Sequence, residues 1–105
     1  MLNLNSVMIG TSQVDVMAEF YHKVIGRPAD MAQDSWHGWQ VGKCFIGIGA
    51  HSEVKDKAKE PQRLMFNFET KEVKEEFERI KGLGATVVAE PYEMGPGWIA
   101  TFSDP

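Results

Sequence analysis

The residues best able to do chemistry in this chain are three histidines and one cysteine: His22, His37, His51 and Cys44. Histidines that share a metal ion usually stand at a recognisable ligand spacing. Here one lies in a helical pattern, one between two tryptophans and one at the head of a charged stretch. These spacings match no known ligand pair. We therefore interpret the histidines as ordinary surface or half-buried side chains and predict no bound metal or other cofactor.

Cys44 is the single thiol of the chain. A cysteine nucleophile needs a nearby cation or a helix N-terminus to stabilise its thiolate. Lys43 is adjacent, but neighbours along a strand point to opposite faces of the sheet. We interpret Cys44 as a core thiol. A lone cysteine cannot form an internal disulfide, which is typical of a reducing compartment, so we expect a cytoplasmic protein.

Aromatic side chains offer a second kind of chemistry, because their rings stack well on flat or cationic ligands. The candidates are Trp36, Trp39, Phe45 and Trp98. Aromatic residues also fill cores and dimer interfaces, so the sequence leaves both interpretations open. Arg63 and Asn67, at alternate positions of a predicted strand, can donate hydrogen bonds to a carboxylate or phosphate. Arg63 fits equally well as a solvated arginine at a strand edge.

Composition sets the limits within which these residues act. The chain has 105 residues, 43% of them hydrophobic and 25% charged, which is typical of one soluble globular domain. Its net charge of −4 and the lack of a basic stripe argue against nucleic acid as a partner. No window approaches the roughly 20 apolar residues of a membrane span.

The first half of the chain predicts a strand, a helix and a hairpin. Alternation over residues 2–9 indicates a half-buried strand, and Thr11 and Ser12 are N-cap candidates for a helix that ends near Ile25. Gly26 ends that helix and Pro28 prevents its continuation. Residues 29–35 are predicted to be a polar connection. Strands over 36–41 and 44–48 follow, joined by a tight turn at 42–43.

The second half repeats the order. Residues 63–69 alternate like the first strand, and Thr70 is an N-cap candidate for a helix over residues 71–81. A short strand over 86–89, a turn-rich loop over 91–97 and a strand over 98–102 complete the pattern. A shift of 57 residues places Ser6 on Arg63 and Phe20 on Phe77. We predict two modules, about 1–50 and 63–105, within one domain, with an exposed linker over 51–62.

Four segments of the chain resemble the vicinal oxygen chelate superfamily, which includes glyoxalase I, bleomycin-resistance proteins and extradiol dioxygenases. They are VMI at 7–9, AEFYHKVIG at 18–26, FERIKGLGATVVAEP at 77–91 and GPGWIATFSDP at 95–105. Phe20 and Tyr21 with Gly26 resemble the aromatic pair that precedes the helix-ending glycine of the family. Asp104 and Pro105 resemble the start of its Asp-Pro-Asp-Gly-Asn turn. The resemblance covers nearly the whole chain.

The resemblance implies an α+β fold of two βαβββ-type modules, the second incomplete at the C-terminus, whose sheets form a cup-shaped half-barrel with the helices on the convex side. Alternation then directs one set of side chains under the helices and the other into the cup. Leu64, Phe66 and Phe68 are expected under the helices. The candidate ligand-binding residues of the cup are Ser6, Met8, Trp36, Trp39, Phe45, Arg63, Met65 and Asn67.

Metal-dependent members of the family hold a divalent cation that acts as a Lewis acid or binds dioxygen. The resemblance places the first two ligand positions at Ser6 and Arg63. A neutral serine hydroxyl is a poor ligand and a guanidinium has no lone pair to donate. The third ligand position lies beyond Pro105. We therefore expect no family metal site and assign no catalytic residue.

The favoured function is a metal-free, small-molecule-binding protein of the bleomycin-resistance type. The alternative is a metal-dependent glyoxalase-like lyase, isomerase or dioxygenase, and only under it is a divalent metal a cofactor. A dimerising accessory domain without a ligand is the third possibility. Family members of this length generally pair, and an exposed sheet edge invites pairing, so we predict a homodimer.

Overall fold

The computed structural model describes residues 1–105 and contains two α-helices and two β-sheets. The elements are β1 Ser6–Thr11, α1 Val14–Ile25, β2 Met31–Gln33, β3 Trp36–Val41, β4 Cys44–Ala50, a 3₁₀ turn at Pro61–Arg63, α2 Val73–Gly82, β5 Thr86–Met94 and β6 Gly97–Ser103. The chain divides into two compact units, Met1–Lys57 with Pro105 and Ala58–Asp104. Their boundary falls inside the predicted linker. Neither helix combines the length and apolarity needed to cross a membrane.

The first unit has the βαβββ order that the family resemblance implies, with one strand more than the sequence pattern predicted. Its four-stranded sheet has the order β1-β4-β3-β2. β1 pairs with β4 in parallel, while β4 with β3 and β3 with β2 are antiparallel. The hairpin between β3 and β4 turns at Gly42, whose φ of 58° is open to glycine at little cost. The α+β fold class is therefore confirmed, and the predicted hairpin is present.

Helix α1 packs on one side of this sheet. Its buried stripe of Met17, Ala18 and Tyr21 forms a core cluster with Trp39 and Ile48. Trp39 is 1% exposed, and its indole N–H donates to the carbonyl of Arg27 at 3.0 Å, so the polar end of this large side chain is satisfied. Burial of an apolar stripe against a sheet is the main source of stability for such a helix.

The ends of α1 follow the sequence signals in part. Gly26 adopts the left-handed conformation, φ 90°, and donates its N–H to the carbonyl of His22 at 2.9 Å. At the N-terminus, the Thr11 hydroxyl accepts from the N–H of Gln13 at 3.0 Å, one residue before the helix. The N-cap residue is Gln13 and makes no side-chain cap hydrogen bond, so both predicted caps, Thr11 and Ser12, are wrong. The Ser12 hydroxyl donates to the carbonyl of Lys55 instead, at 3.2 Å.

Two boundaries in the first unit differ from the sequence prediction. The first strand begins at Ser6 rather than Leu2, since the register with β4 begins there, and Leu2 and Leu4 remain exposed. The segment interpreted as a polar connection contains β2, which pairs over three residues with β3. An edge strand of three residues carries too little alternation to be recognised from one sequence.

The second unit consists of α2 and the β5–β6 hairpin. Phe77 is the buried residue of α2, and its ring stacks on Phe102 of β6 with centroids 5.2 Å apart. β5 continues through the predicted loop as far as Met94. Pro91 is accommodated because the β5–β6 register shifts between Ala89 and Tyr92, and a proline without an N–H suits such an irregularity.

The predicted strand over residues 63–69 is wrong. Its apolar residues Leu64, Phe66 and Phe68 are 78%, 38% and 44% exposed and so do not pack under the helices. A strand needs backbone partners as well as alternating side chains. In the second unit β5 and β6 pair with each other, and neither pairs with this segment.

Candidate functional site

The side of the first sheet that faces away from α1 forms the candidate site, which we call the open face. Successive residues of a strand alternate between faces, and directly paired residues share one. Helix-side residues such as Ile9, Trp39 and Ile48 therefore fix which residues lie opposite. The open face consists of Ser6, Met8, Gly10, Met31, Gln33, Trp36, Gly38, Gln40, Phe45, Gly47 and Gly49.

Three glycines, Gly38, Gly47 and Gly49, form the floor of this face and lie directly beneath larger side chains. A Cβ at Gly38 would lie 2.3 Å from Phe45 Cζ, one at Gly47 2.4 Å from Met8 Sδ, and one at Gly49 2.9 Å from Trp36 Cδ1. Real Cβ atoms essentially never approach so closely. We call these residues the glycine floor, since their missing side chains leave the space that the larger groups fill.

The indole of Trp36 spans the whole glycine floor. Besides its contact at Gly49, its Cζ2 lies 3.4 Å from the Cβ position of Gly47 and its Cη2 3.1 Å from that of Gly38. The ring of Phe45 is stacked beside it, with centroids 5.8 Å apart and planes inclined by 18°. Both side chains are half-buried. Trp36 and Phe45, which we call the aromatic platform, present nearly parallel rings over a backbone surface.

The remaining side chains of the open face are uncharged. Met8 and Met31 are 60% and 50% exposed. Gln33 is the direct cross-strand partner of Trp36. Gln40 donates its Nε2 hydrogen to the carbonyl of Gly42 at 3.1 Å. This surface can therefore offer stacking, thioether contacts and neutral hydrogen bonds.

The segment after β4 borders the open face at Gly10. His51 Cβ lies 3.1 Å and Val54 Cγ2 3.3 Å from the Cβ position of that glycine. The Nδ1 atom of His51 accepts from the backbone N–H of Glu53 at 3.1 Å, which orients the imidazole. The start of the predicted linker is therefore folded over the end of β1.

The open face contains four of the eight predicted cup residues: Ser6, Met8, Trp36 and Phe45. Trp39 was assigned there wrongly, because it lies on the opposite side of the same strand, in the core under α1. Arg63, Met65 and Asn67 belong to the second unit and to no strand. The side chain of Arg63 is 81% exposed and its Nη1 lies 3.8 Å from a carboxylate oxygen of Glu60. Met65 and Asn67 are also exposed.

Sequence reasoning missed several residues of the open face. Met31 and Gln33 were missed because β2 is short and lies at the edge of the sheet. The glycine floor was missed although its signal is present, since glycines alternate with apolar residues along β4 and one stands between the two tryptophans of β3. An isolated strand glycine often marks close approach of another group.

The residues present do not fit the divalent metal that the family resemblance implies. Ser6 and Arg63 supply a neutral hydroxyl and a cation where ligands are expected. No three His, Cys, Asp or Glu side chains lie close enough together to hold a metal ion. Cys44 is a half-buried thiol on the helix side of β4.

Two histidines lie on the helix side of the first sheet. His22 of α1 and His37 of β3 border an open groove of about 400 Å³ together with Asp15 and Glu19. Glu19 is also 3.5 Å from the ammonium of Lys23. Alanines, Pro28 and Trp39 complete its lining, and no buried polar side-chain atom lacks a hydrogen-bond partner. His22 is half-buried, within the range expected for the histidines from the sequence.

Trp98, the remaining aromatic candidate, lies in the second unit. The ammonium of Lys74 stands 4.0 Å from the centroid of its ring, in cation–π geometry. Both residues border a groove of about 430 Å³ at the start of α2, with Thr70 and Lys71. Trp98 is 42% exposed and is engaged by a residue of its own unit.

Comparison with known proteins identifies the relatives of this chain. A family model described as a glyoxalase-like domain matches residues 6–105. No curated protein shows significant similarity. A solved structure described as a conserved domain protein is 20% identical with a TM-score of 0.83, and the match covers 99% of this chain and 90% of that one.

Two further solved structures carry informative descriptions. A glyoxalase/bleomycin resistance protein/dioxygenase family enzyme from Burkholderia phytofirmans PsJN is 27% identical, with a TM-score of 0.74 over 99% of this chain and 91% of that one. A lactoylglutathione lyase from Agrobacterium tumefaciens is 16% identical, with a TM-score of 0.68 over 98% and 86%. These matches confirm the resemblance to the vicinal oxygen chelate superfamily.

Proposed function

The chain belongs to the glyoxalase-like domain family, and from this premise we propose that it binds a small planar molecule on the open face without the help of a metal ion. The observation that carries the proposal is the aromatic platform, in which one indole spans the three residues of the glycine floor. A ring held against backbone is rigid, so a ligand that stacks on it loses little affinity to side-chain ordering.

The donor chemistry supports binding without a metal. A Lewis-acid mechanism requires imidazole or carboxylate donors that converge on one cation. Ser6 and Arg63 supply neither, and the histidines do not converge. Sequestration, as in a bleomycin-resistance protein, requires only shape, stacking and a few neutral polar groups. The open face supplies the stacking surface and the neutral polar groups.

The test is ligand binding followed through the indole N–H signals of the three tryptophans in ¹⁵N-labelled protein. A flat aromatic probe such as 2-naphthol should shift the Trp36 signal. The signals of Trp39, which is buried, and Trp98, which lies in the second unit, serve as internal references. Trp36→Ala should abolish the binding, while Trp98→Ala should leave it unchanged. A probe that shifts only the Trp98 signal, or none, would contradict the proposal.

Metal content separates the proposal from the alternative of a metal-dependent lyase, isomerase or dioxygenase. Untagged protein purified without chelator is offered nickel, zinc, manganese and iron(II), and bound metal is measured by plasma mass spectrometry. We expect no metal above trace. A stoichiometric metal that survives desalting would favour the enzymatic alternative.

The proposal includes a cytoplasmic homodimer. The single cysteine supports a reducing compartment. The exposed apolar residues of the segment 64–68 support association, because such surface is costly to leave in water. Light scattering coupled to size-exclusion chromatography should give twice the 11.8 kDa mass of the chain.

A further inference from the structure

We infer that the part of the ligand resting on the aromatic platform is a ring that bears no anionic group. The inference rests on the proposed function and narrows its ligand class. It is carried by the charge pattern of the open face, where every side chain that the four strands contribute beside the aromatic platform is neutral.

The strands contribute no cation to the open face. Its polar side chains are a serine hydroxyl and the amides of Gln33 and Gln40, and its larger apolar side chains are thioethers and aromatic rings. A carboxylate or phosphate that leaves water needs a cationic partner or several hydrogen bonds, otherwise its desolvation opposes binding. The open face offers at most weak neutral donors for that purpose.

The platform itself disfavours an anion. The face of an aromatic ring carries the negative part of its quadrupole, so it attracts cations and repels anions. The net charge of −4 on the chain also repels an anionic ligand. One ionisable side chain, His51, borders this face. It lies over Gly10 at the end of β1. An anionic ring on the platform would therefore be repelled by the rings beneath it and receive no ion pair from the strands.

The same geometry identifies the position that controls this selectivity. Gln33 pairs directly with Trp36, so their Cβ atoms are near neighbours on one face. β2 is an exposed edge strand, and a longer side chain can be accommodated there without repacking. A lysine at position 33 would place an ammonium beside the indole, where it can pair with an anion carried by a stacked ring.

The experiment compares three probes that share one ring: 2-naphthol, 2-naphthoate and (2-naphthyl)methylammonium. Titration against the wild-type Trp36 indole signal should give binding of the neutral and cationic probes and at least tenfold weaker binding of 2-naphthoate. Gln33→Lys should strengthen 2-naphthoate binding by about tenfold, whereas the matched variant Gln33→Met should not.

The outcomes separate this inference from the proposed function. If none of the three probes shifts the Trp36 signal, the proposed function fails. If 2-naphthoate binds at Trp36 as tightly as 2-naphthol, the proposed function stands and the inference about charge is overturned. If Gln33→Lys leaves 2-naphthoate binding unchanged while the protein remains folded by its amide spectrum, the assignment of Gln33 as the selectivity position is overturned.

Discussion

Asp30 and Arg27 form an ion pair that fastens the loop after α1 to strand β3. Arg27 Nη1 lies 2.6 Å from Asp30 Oδ1, and Asp30 Oδ2 accepts from the backbone N–H of Gln40 at 2.7 Å. Arg27 also donates from Nη2 to the carbonyl of Gln40. The backbone N–H of Asp30 donates to the carbonyl of Gly38 at 2.8 Å. The side chains of Arg27 and Asp30 thus bind the backbone C=O and N–H of Gln40, in the same strand as Trp36.

This arrangement predicts that the stability of the protein depends on pH. The hydrogen bond from Arg27, followed by that from Gln40, lowers the pKa of Asp30. A carboxyl group whose pKa is lower in the folded state stabilises the fold above its unfolded pKa, and that contribution is lost as the pH falls through the folded value. Asp30→Asn should therefore lower the free energy of unfolding at pH 7, and the difference from wild type should shrink below about pH 4.

The measurement is urea unfolding of both proteins at pH 7 and pH 3. Asp56→Asn serves as the matched control, since Asp56 is exposed near the end of the first unit. A difference between wild type and Asp30→Asn that is as large at pH 3 as at pH 7 would show that the carboxylate charge is not the cause.

The glycine floor predicts an order of alanine substitutions. Gly38→Ala should destabilise the protein by about 1–3 kcal/mol, because the new Cβ meets the stiff ring of Phe45 at 2.3 Å. Gly47→Ala should cost less than about 1 kcal/mol, because the atom it meets is the sulfur of Met8, near the end of a flexible and exposed side chain. Chemical denaturation of the purified variants measures both values.

Gly82→Ala is the control for this series. Gly82 is the last residue of α2, nothing lies within 4 Å of its Cβ position, and alanine has the higher helix propensity. The free energy of unfolding of Gly82→Ala should equal that of wild type or exceed it by up to about 1 kcal/mol. Equal losses for Gly38→Ala and Gly47→Ala would contradict the packing described for the floor.

Trp39 and Trp36 should respond differently to replacement by phenylalanine. Trp39→Phe removes a buried hydrogen bond to the Arg27 carbonyl and leaves a void in the core, which should cost about 2–4 kcal/mol. Trp36→Phe changes a half-buried ring and should cost about 1 kcal/mol or less while weakening binding of a flat probe. Stability is followed by circular dichroism and binding by calorimetry. If Trp36→Phe and Trp39→Phe lower stability by similar amounts, Trp36 is a core residue and not part of an exposed aromatic platform.

The contact between the Lys74 ammonium and the Trp98 ring should stabilise the second unit. The ammonium stands 4.0 Å from the ring centroid at an exposed site, so Lys74→Met should lower stability by about 0.5–1 kcal/mol. The Trp98 indole signal should shift, and the Trp36 signal should not. Lys71→Met, a change of the same kind at a neighbouring position, provides the comparison. If Lys74→Met leaves the Trp98 signal unchanged, the cation–π contact between Lys74 and Trp98 is contradicted.

Several elements could be predicted because their signals are local. The stripe of α1, its stop at Gly26 and the turn at Gly42 depend on side-chain periodicity and on backbone conformations that glycine favours, and all three are present. The strand over residues 63–69 could not be excluded in the same way. Alternation shows which side chains of a strand would be buried. It does not show whether another strand pairs with that segment, because the pairing residues lie elsewhere in the chain.

The candidate site was predicted in part. Alternation placed Ser6 and Met8 on one face of the first strand, and residue type placed Trp36 and Phe45 beside them; the strand register puts all four on the same face. Trp39 was assigned to that face on residue type, although it is three positions from Trp36 and an odd spacing in one strand requires opposite faces. Arg63 was placed through the repeat, and the repeat does not extend to a paired strand at that position.

The contact between the Trp36 indole and Gly49 also makes these two positions interdependent in volume. An added Cβ at Gly49 would meet Trp36 first, whereas at Gly38 and Gly47 it would meet Phe45 and Met8 first. A smaller residue at position 36 would leave a void above Gly49 that an alanine there could fill, so two substitutions that are harmful alone should compensate for each other when combined. In related chains, the sizes of the residues at these two positions should therefore vary inversely.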